Sequence, residues 1–116
     1  MALILVLDDD PVIADLIRMV LAEEGLDVTT AGSLAQVDEH VAPDLVVADL
    51  VLAGSYTRER ARETVRLLNE RFPSRPLVLV TAHAQATRDG LGASEVVTKP
   101  FDVDSLVAAV RRALPN

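Results

Sequence analysis

The 116-residue sequence predicts an α/β fold of the doubly wound class, a five-stranded parallel sheet with helices on both faces. Three observations predict it. Five short aliphatic runs recur along the chain: "LILVL" (3–7), "DVTTA" (27–31), "LVVAD" (45–49), "PLVLV" (76–80) and "EVVT" (95–98). Segments of helical period alternate with them, as crossover connections between parallel strands require. Half of the residues are hydrophobic, yet Phe72, Phe101 and Tyr56 are the only aromatic ones, which leaves an interior of Leu, Val, Ile and Ala, the palette of a sheet buried on both faces.

The helices follow from spacing and caps. Ile13, Leu16, Ile17, Val20 and Leu21 recur at i, i+3, i+4, i+7 and i+8, one buried stripe that Gly25 closes, and Asp10 before Pro11 has the form of an N-cap. Ser33 with Gln36 reads as a capping box opening a short second helix through Leu34, Val37 and Val41. Ala61, Val65, Leu68 and Phe72 make a third stripe ended by Pro73. The segment 83–93, "HAQATRDGLGA", carries little helical signal. Asp102 caps a last helix that turns Val103, Leu106, Val107, Val110 and Leu114 inward.

Composition narrows the function. A formal net charge of −7 opposes binding to nucleic acid or to an anionic membrane, so neither is expected as a partner. The absence of cysteine excludes disulfides, thiolate metal sites and thiol nucleophiles. The opening "MALILVL" lacks a basic n-region, and no run reaches the ~20 apolar residues of a membrane span, so a soluble, cytoplasmic chain is expected, one domain over residues 1–116.

In a doubly wound sheet, ligands bind outside the carboxyl ends of the strands. There the chain places Asp8, Asp9 and Asp10 after the first strand, Asp49 at the end of the third, Thr81 and Ala82 after the fourth, and Lys99-Pro100 after the fifth. Asp10 is accounted for by capping. Asp8, Asp9 and Asp49 gather like charges that repel by roughly 4 kcal/mol per pair at ~4 Å and an effective dielectric of ~20, a cost that a hard cation such as Mg2+ offsets. Beside a divalent ion a carboxylate is a competent nucleophile for a phosphoryl group; Thr81 offers it a hydroxyl donor and Lys99 a compact ammonium.

With "ILVLDDDP", "PDLVVADLVLAG", "LVLVTA" and "VVTKPF" in this order, the sequence closely resembles the receiver domain of two-component response regulators over nearly its whole length. The resemblance implies a flavodoxin-like strand order 2-1-3-4-5, and because the fold consumes residues 1–114 a stand-alone signalling domain is expected. Asp49 would be the phosphoacceptor, charged from a phosphohistidine on a sensor histidine kinase or a phosphotransfer protein. Mg2+ would be held by Asp9 directly, by Asp8 through water, by Asp49 and by the Val51 backbone carbonyl; Thr81 and Lys99 would contact the phosphoryl oxygens, and Lys99-Pro100 would be cis. The domain would catalyse its own phosphorylation and slow dephosphorylation. Output would be binding of a downstream protein or a phosphorelay.

Three departures from the family pattern stand out. Val96 replaces an aromatic three residues before the lysine, the stretch from Thr81 to Lys99 is about one helical turn short, and Ala53 stands where proline is usual. A short or irregular fourth helix and an altered start to the third are therefore expected. Two positions that tune phosphoryl lifetime in the family are Val51 and His83; Val51 offers an attacking water no hydrogen bond, so slow self-dephosphorylation is expected. Two other readings are a pseudo-receiver that binds partners without phosphorylation, and a haloacid dehalogenase-like phosphatase with Asp8 as nucleophile, to which "DDDPV" conforms.

Overall fold

The structure is a computed structural model in which residues 2–49 and 57–115 are described. Five parallel strands, β1 (Leu3–Leu7), β2 (Asp27–Ala31), β3 (Leu45–Asp49), β4 (Leu77–Thr81) and β5 (Glu95–Thr98), lie in the order β2-β1-β3-β4-β5. The described helices are α1 (Pro11–Glu23), α2 (Arg58–Arg71) and α3 (Val103–Ala113). The fourth strand starts one residue later than its aliphatic run suggests: Pro76, which has no N–H, lies outside it but accepts the Val46 N–H through its carbonyl at 3.1 Å.

Alternation along the strands divides the interior into two layers. Ile4, Val6, Val47, Val78 and Val80 face Ala14, Ile17 and Leu21 of α1 and Leu106, Ala109 and Val110 of α3. Leu5, Leu7, Val46, Leu77 and Leu79 face Ala61, Val65 and Leu68 of α2. Each fully buried aliphatic side chain contributes about 1.5–3 kcal/mol, and truncation adds the cost of a cavity. Leu79→Ala, at a position with no exposure, should lower the unfolding free energy by about 3 kcal/mol. Urea denaturation checks this, and a loss below about 1 kcal/mol would mean that the site collapses around the smaller side chain.

The caps of α1 agree with the sequence reading. Asp10 accepts the Val12 N–H at 2.9 Å ahead of Pro11. At the far end Gly25, at φ 82°, donates to the Ala22 carbonyl at 3.0 Å, and Leu26 donates to Leu21 at 3.4 Å, the paired bonds of a Schellman stop. Thr57 caps α2 by accepting the Arg60 N–H at 3.1 Å.

The second helix does not form. In its place stands a three-residue 3-10 turn, Leu34–Gln36, whose Ser33 side chain makes no capping bond, while Gln36 Oε1 accepts the Gly32 N–H at 3.0 Å. Local competition explains it. Asp38 accepts the His40 N–H at 2.8 Å, an Asx turn, and Arg71 Nη2 donates to the Val37 and Asp38 carbonyls at 3.3 Å, taking acceptors that a helix would use. Residues 83–93 likewise hold only a 3-10 turn, Ala84–Thr87, as their weak helical signal predicts.

Two apolar side chains expected inside are not. Leu16 is 47% exposed and Val103 51%. At about 100° per residue Leu16 sits a quarter-turn off the Ile17 line, and with Val12 and Met19 it forms an outer apolar stripe on α1. Val103 is the first residue of α3, ahead of the turn that meets the sheet.

Candidate functional site

Strand register assembles the site. Leu7 is opposite both Ala31 and Ala48, so the next residue, Asp8, emerges beside Asp49, and its N–H donates to the Ala31 carbonyl at 3.1 Å. Asp49 is opposite Val80, and Thr81 is opposite Thr98, so Thr81 and Lys99 arrive from the next two strands. The Lys99 N–H donates to the Thr81 carbonyl at 2.7 Å, and the Lys99-Pro100 bond is cis, as the resemblance implies.

The three carboxylates converge: one oxygen each from Asp8, Asp9 and Asp49 lie within 4.8 Å of one another. Asp8 is buried, and Asp49 forms an ion pair with Lys99, Nζ to Oδ2 at 2.9 Å. Asp8 Oδ1 accepts the Asp10 N–H at 2.9 Å, while Asp8 Oδ2 is buried with no hydrogen-bond partner. Burial, which disfavours the charged form, pushes the Asp8 carboxyl up to about 6; the Asp10 N–H opposes the shift, and the neighbouring Asp49 adds to it. An orphaned buried carboxylate oxygen facing two further carboxylates fits a hard divalent cation that takes oxygen ligands and keeps several waters.

Thr81 is completely buried, and its Oγ1 accepts the His83 N–H at 3.0 Å, which leaves the hydroxyl proton free to be donated. Val51, expected to lend its carbonyl, lies outside the described residues. Next to the carboxylates opens a cleft of about 230 Å3, lined on its apolar side by Leu7, Leu34, Ala48, Leu67 and Leu68. Sequence reasoning missed this cleft because it expected a helix there.

One strand-end face thus gathers three carboxylates, a buried hydroxyl and an ammonium. The response regulator receiver domain family matches residues 4–111, and this chain belongs to it. It is 33% identical, over a 119-residue alignment, to the probable transcriptional regulatory protein TcrX of Mycobacterium tuberculosis, covering 96% of this chain and 49% of TcrX. It is 32% identical to the DNA-binding transcriptional regulator NtrC of Escherichia coli, covering 96% of this chain and 24% of NtrC. The chain thus spans half or less of these curated relatives. Among solved structures it is similar to the response regulator TrrA of Thermotoga maritima in complex with Mg2+ and BeF, with a TM-score of 0.77, 30% identity, and 98% and 100% of the two chains covered. No helix among the described residues is long and apolar enough to cross a membrane.

Proposed function

We propose that residues 1–116 act as one phosphoacceptor domain, in which Asp49 takes a phosphoryl group from a phosphohistidine of a sensor histidine kinase or phosphotransfer protein. The observation that carries this reading is the Lys99–Asp49 ion pair set against the Asp8 and Asp9 carboxylates. An Asp49 oxygen forms the new bond to phosphorus as the bond to the donor's imidazole nitrogen breaks; the electron pair leaves with the ring, which takes up a proton. Lys99 Nζ, already 2.9 Å from Oδ2, follows the charge onto the phosphoryl oxygens, and the buried Thr81 hydroxyl donates to another. Asp8, Asp9, Asp49 and the Val51 carbonyl would hold Mg2+, which neutralises charge that gathers on those oxygens. The chain's own residues mainly position and neutralise, as a loose phosphoryl-transfer transition state requires.

The outer stripe of Val12, Leu16 and Met19 begins four residues after Asp8 and gives the donor protein an apolar footing beside the acceptor. The relatives are transcriptional regulators longer than this chain. Output through a downstream protein or a phosphorelay is the reading that carries over. With a small acyl phosphate or phosphoramidate donor and Mg2+, one phosphoryl group should appear on Asp49 by mass spectrometry and vanish in Asp49→Asn. An unlabelled Asp49 in protein that still binds Mg2+ would leave a phosphorylation-independent binding module as the better reading.

A further inference from the structure

The cleft beside the carboxylates has two chemically different sides. Leu7, Ala48 and Leu68 are buried and form its apolar floor, while Leu67, 43% exposed, stands at its rim with Leu34. The other side is Asp8, Asp9 and Asp49. Among the described residues that line it there is no lysine or arginine; Lys99, the cation paired with Asp49, does not line it. Asp8, which does, is 4% exposed, and its Oδ2 has no hydrogen-bond partner.

Each side asks for something the other rejects. A hydrated Mg2+ ion suits the carboxylates but leaves the leucines facing water. An uncharged hydrocarbon covers the leucines but strips water from carboxylates without giving them a counter-charge. An organic ammonium ion meets both demands, because its N–H groups donate to carboxylate oxygens while its carbon skeleton covers the apolar side. Volume limits the skeleton. The cleft holds about 230 Å3, and an apolar cavity of roughly 150 Å3 already accepts one benzene ring.

We propose that this cleft binds a small primary ammonium ion carrying one ring or one branched aliphatic chain, and that the bound ion competes with Mg2+ for the carboxylates of Asp8, Asp9 and Asp49. The inference rests on Asp49 being the phosphoacceptor and adds a regulator of it: a domain occupied by the amine takes up Mg2+ less readily and is phosphorylated more slowly. Because the two ligands share the carboxylates, each weakens the other by the same factor.

The test is an Mg2+ titration of the full chain followed by amide NMR at constant ionic strength, with phenethylammonium as probe and methylammonium and phenethyl alcohol as controls. At about 10 mM the probe should raise the apparent Kd for Mg2+ at least threefold and shift the Leu34 and Leu67 amides, while either control, lacking ring or charge, should change that Kd far less. Leu67→Asn, at a rim position, should cancel the effect of the probe in protein that still binds Mg2+. An unchanged Kd overturns the proposal, as does methylammonium acting as strongly as the probe or an effect that survives Leu67→Asn. Labelling of Asp49 by acetyl phosphate at limiting Mg2+ should slow with the probe by the factor that the Kd rises. Equal labelling with and without it overturns the proposal and leaves the phosphoacceptor reading standing. No label in probe-free protein that binds Mg2+ removes the phosphoacceptor reading, and the regulatory claim falls with it.

Discussion

Replacing Lys99 by methionine should slow uptake of a phosphoryl group by Asp49 about 10²-fold, the usual cost of removing one pre-positioned donor from a charge-developing transition state. Lys99 Nζ lies 2.9 Å from Asp49 Oδ2, and the Asp49 side chain is only 6% exposed, so water cannot easily substitute for the ammonium. The same substitution should tighten Mg2+ binding, because the ammonium competes with the cation for Asp49. Opposite movement of the two quantities separates a role in transfer from simple damage to the site. Lys99→Arg should rescue little, since a planar guanidinium replaces a compact point charge. Stopped-flow phosphorylation with a small donor, together with Mg2+ titration, checks both; a rate within threefold of wild type would remove Lys99 from the chemistry.

The sequence was legible where one residue has one dominant task. The three central runs are apolar on both faces because both faces are covered, the edge runs of β2 and β5 are more polar and only partly buried, and all five strands appear, displaced by at most one residue. Asp10-Pro11, Gly25 and Asp102 behave as caps and stops because those interactions are local. The site residues were legible for a related reason: their strands run parallel with their carboxyl ends together, so position along each strand settles which side chains can meet.

What could not be read depends on distant partners. Leu34, Val37 and Val41 have helical spacing, but Arg71, three dozen residues away, claims the Val37 and Asp38 carbonyls that a helix would need. The capping box failed for a local reason, since Gln36 turns to the Gly32 N–H four residues back. Leu16 fits the apolar spacing of α1 yet faces outward, because the five-residue stripe is wider than the strip of sheet that covers it. Leu34, in a 3-10 turn where a helix was expected, lines the cleft beside the carboxylates together with Leu67 of α2.

Asp8→Asn should make the metal-free domain more stable at pH 7 while abolishing its stabilisation by Mg2+. In the fold the Asp8 carboxyl holds its proton up to about pH 6, above its ordinary 3.8, chiefly because it is buried. Between those values the native state binds more protons than the unfolded chain, so metal-free stability falls as pH rises through the window from about 4 to about 6, by on the order of 2 kcal/mol. An asparagine there keeps an oxygen acceptor for the Asp10 N–H, now 2.9 Å from Oδ1, and has no charge to desolvate. Wild type and variant should therefore unfold at similar denaturant concentrations near pH 4 and diverge by pH 7, with the variant ahead. Millimolar Mg2+ should reverse the order, because binding to the native state alone stabilises it by RT ln(1 + [L]/Kd) and the variant lacks the buried anion that draws the ion in. Urea melts at the two pH values, with and without Mg2+, supply all the comparisons. A metal-free variant less stable than wild type at pH 7 would show that the Asp8 charge is compensated within the protein. Equal stabilisation of both by Mg2+ would place the ion elsewhere.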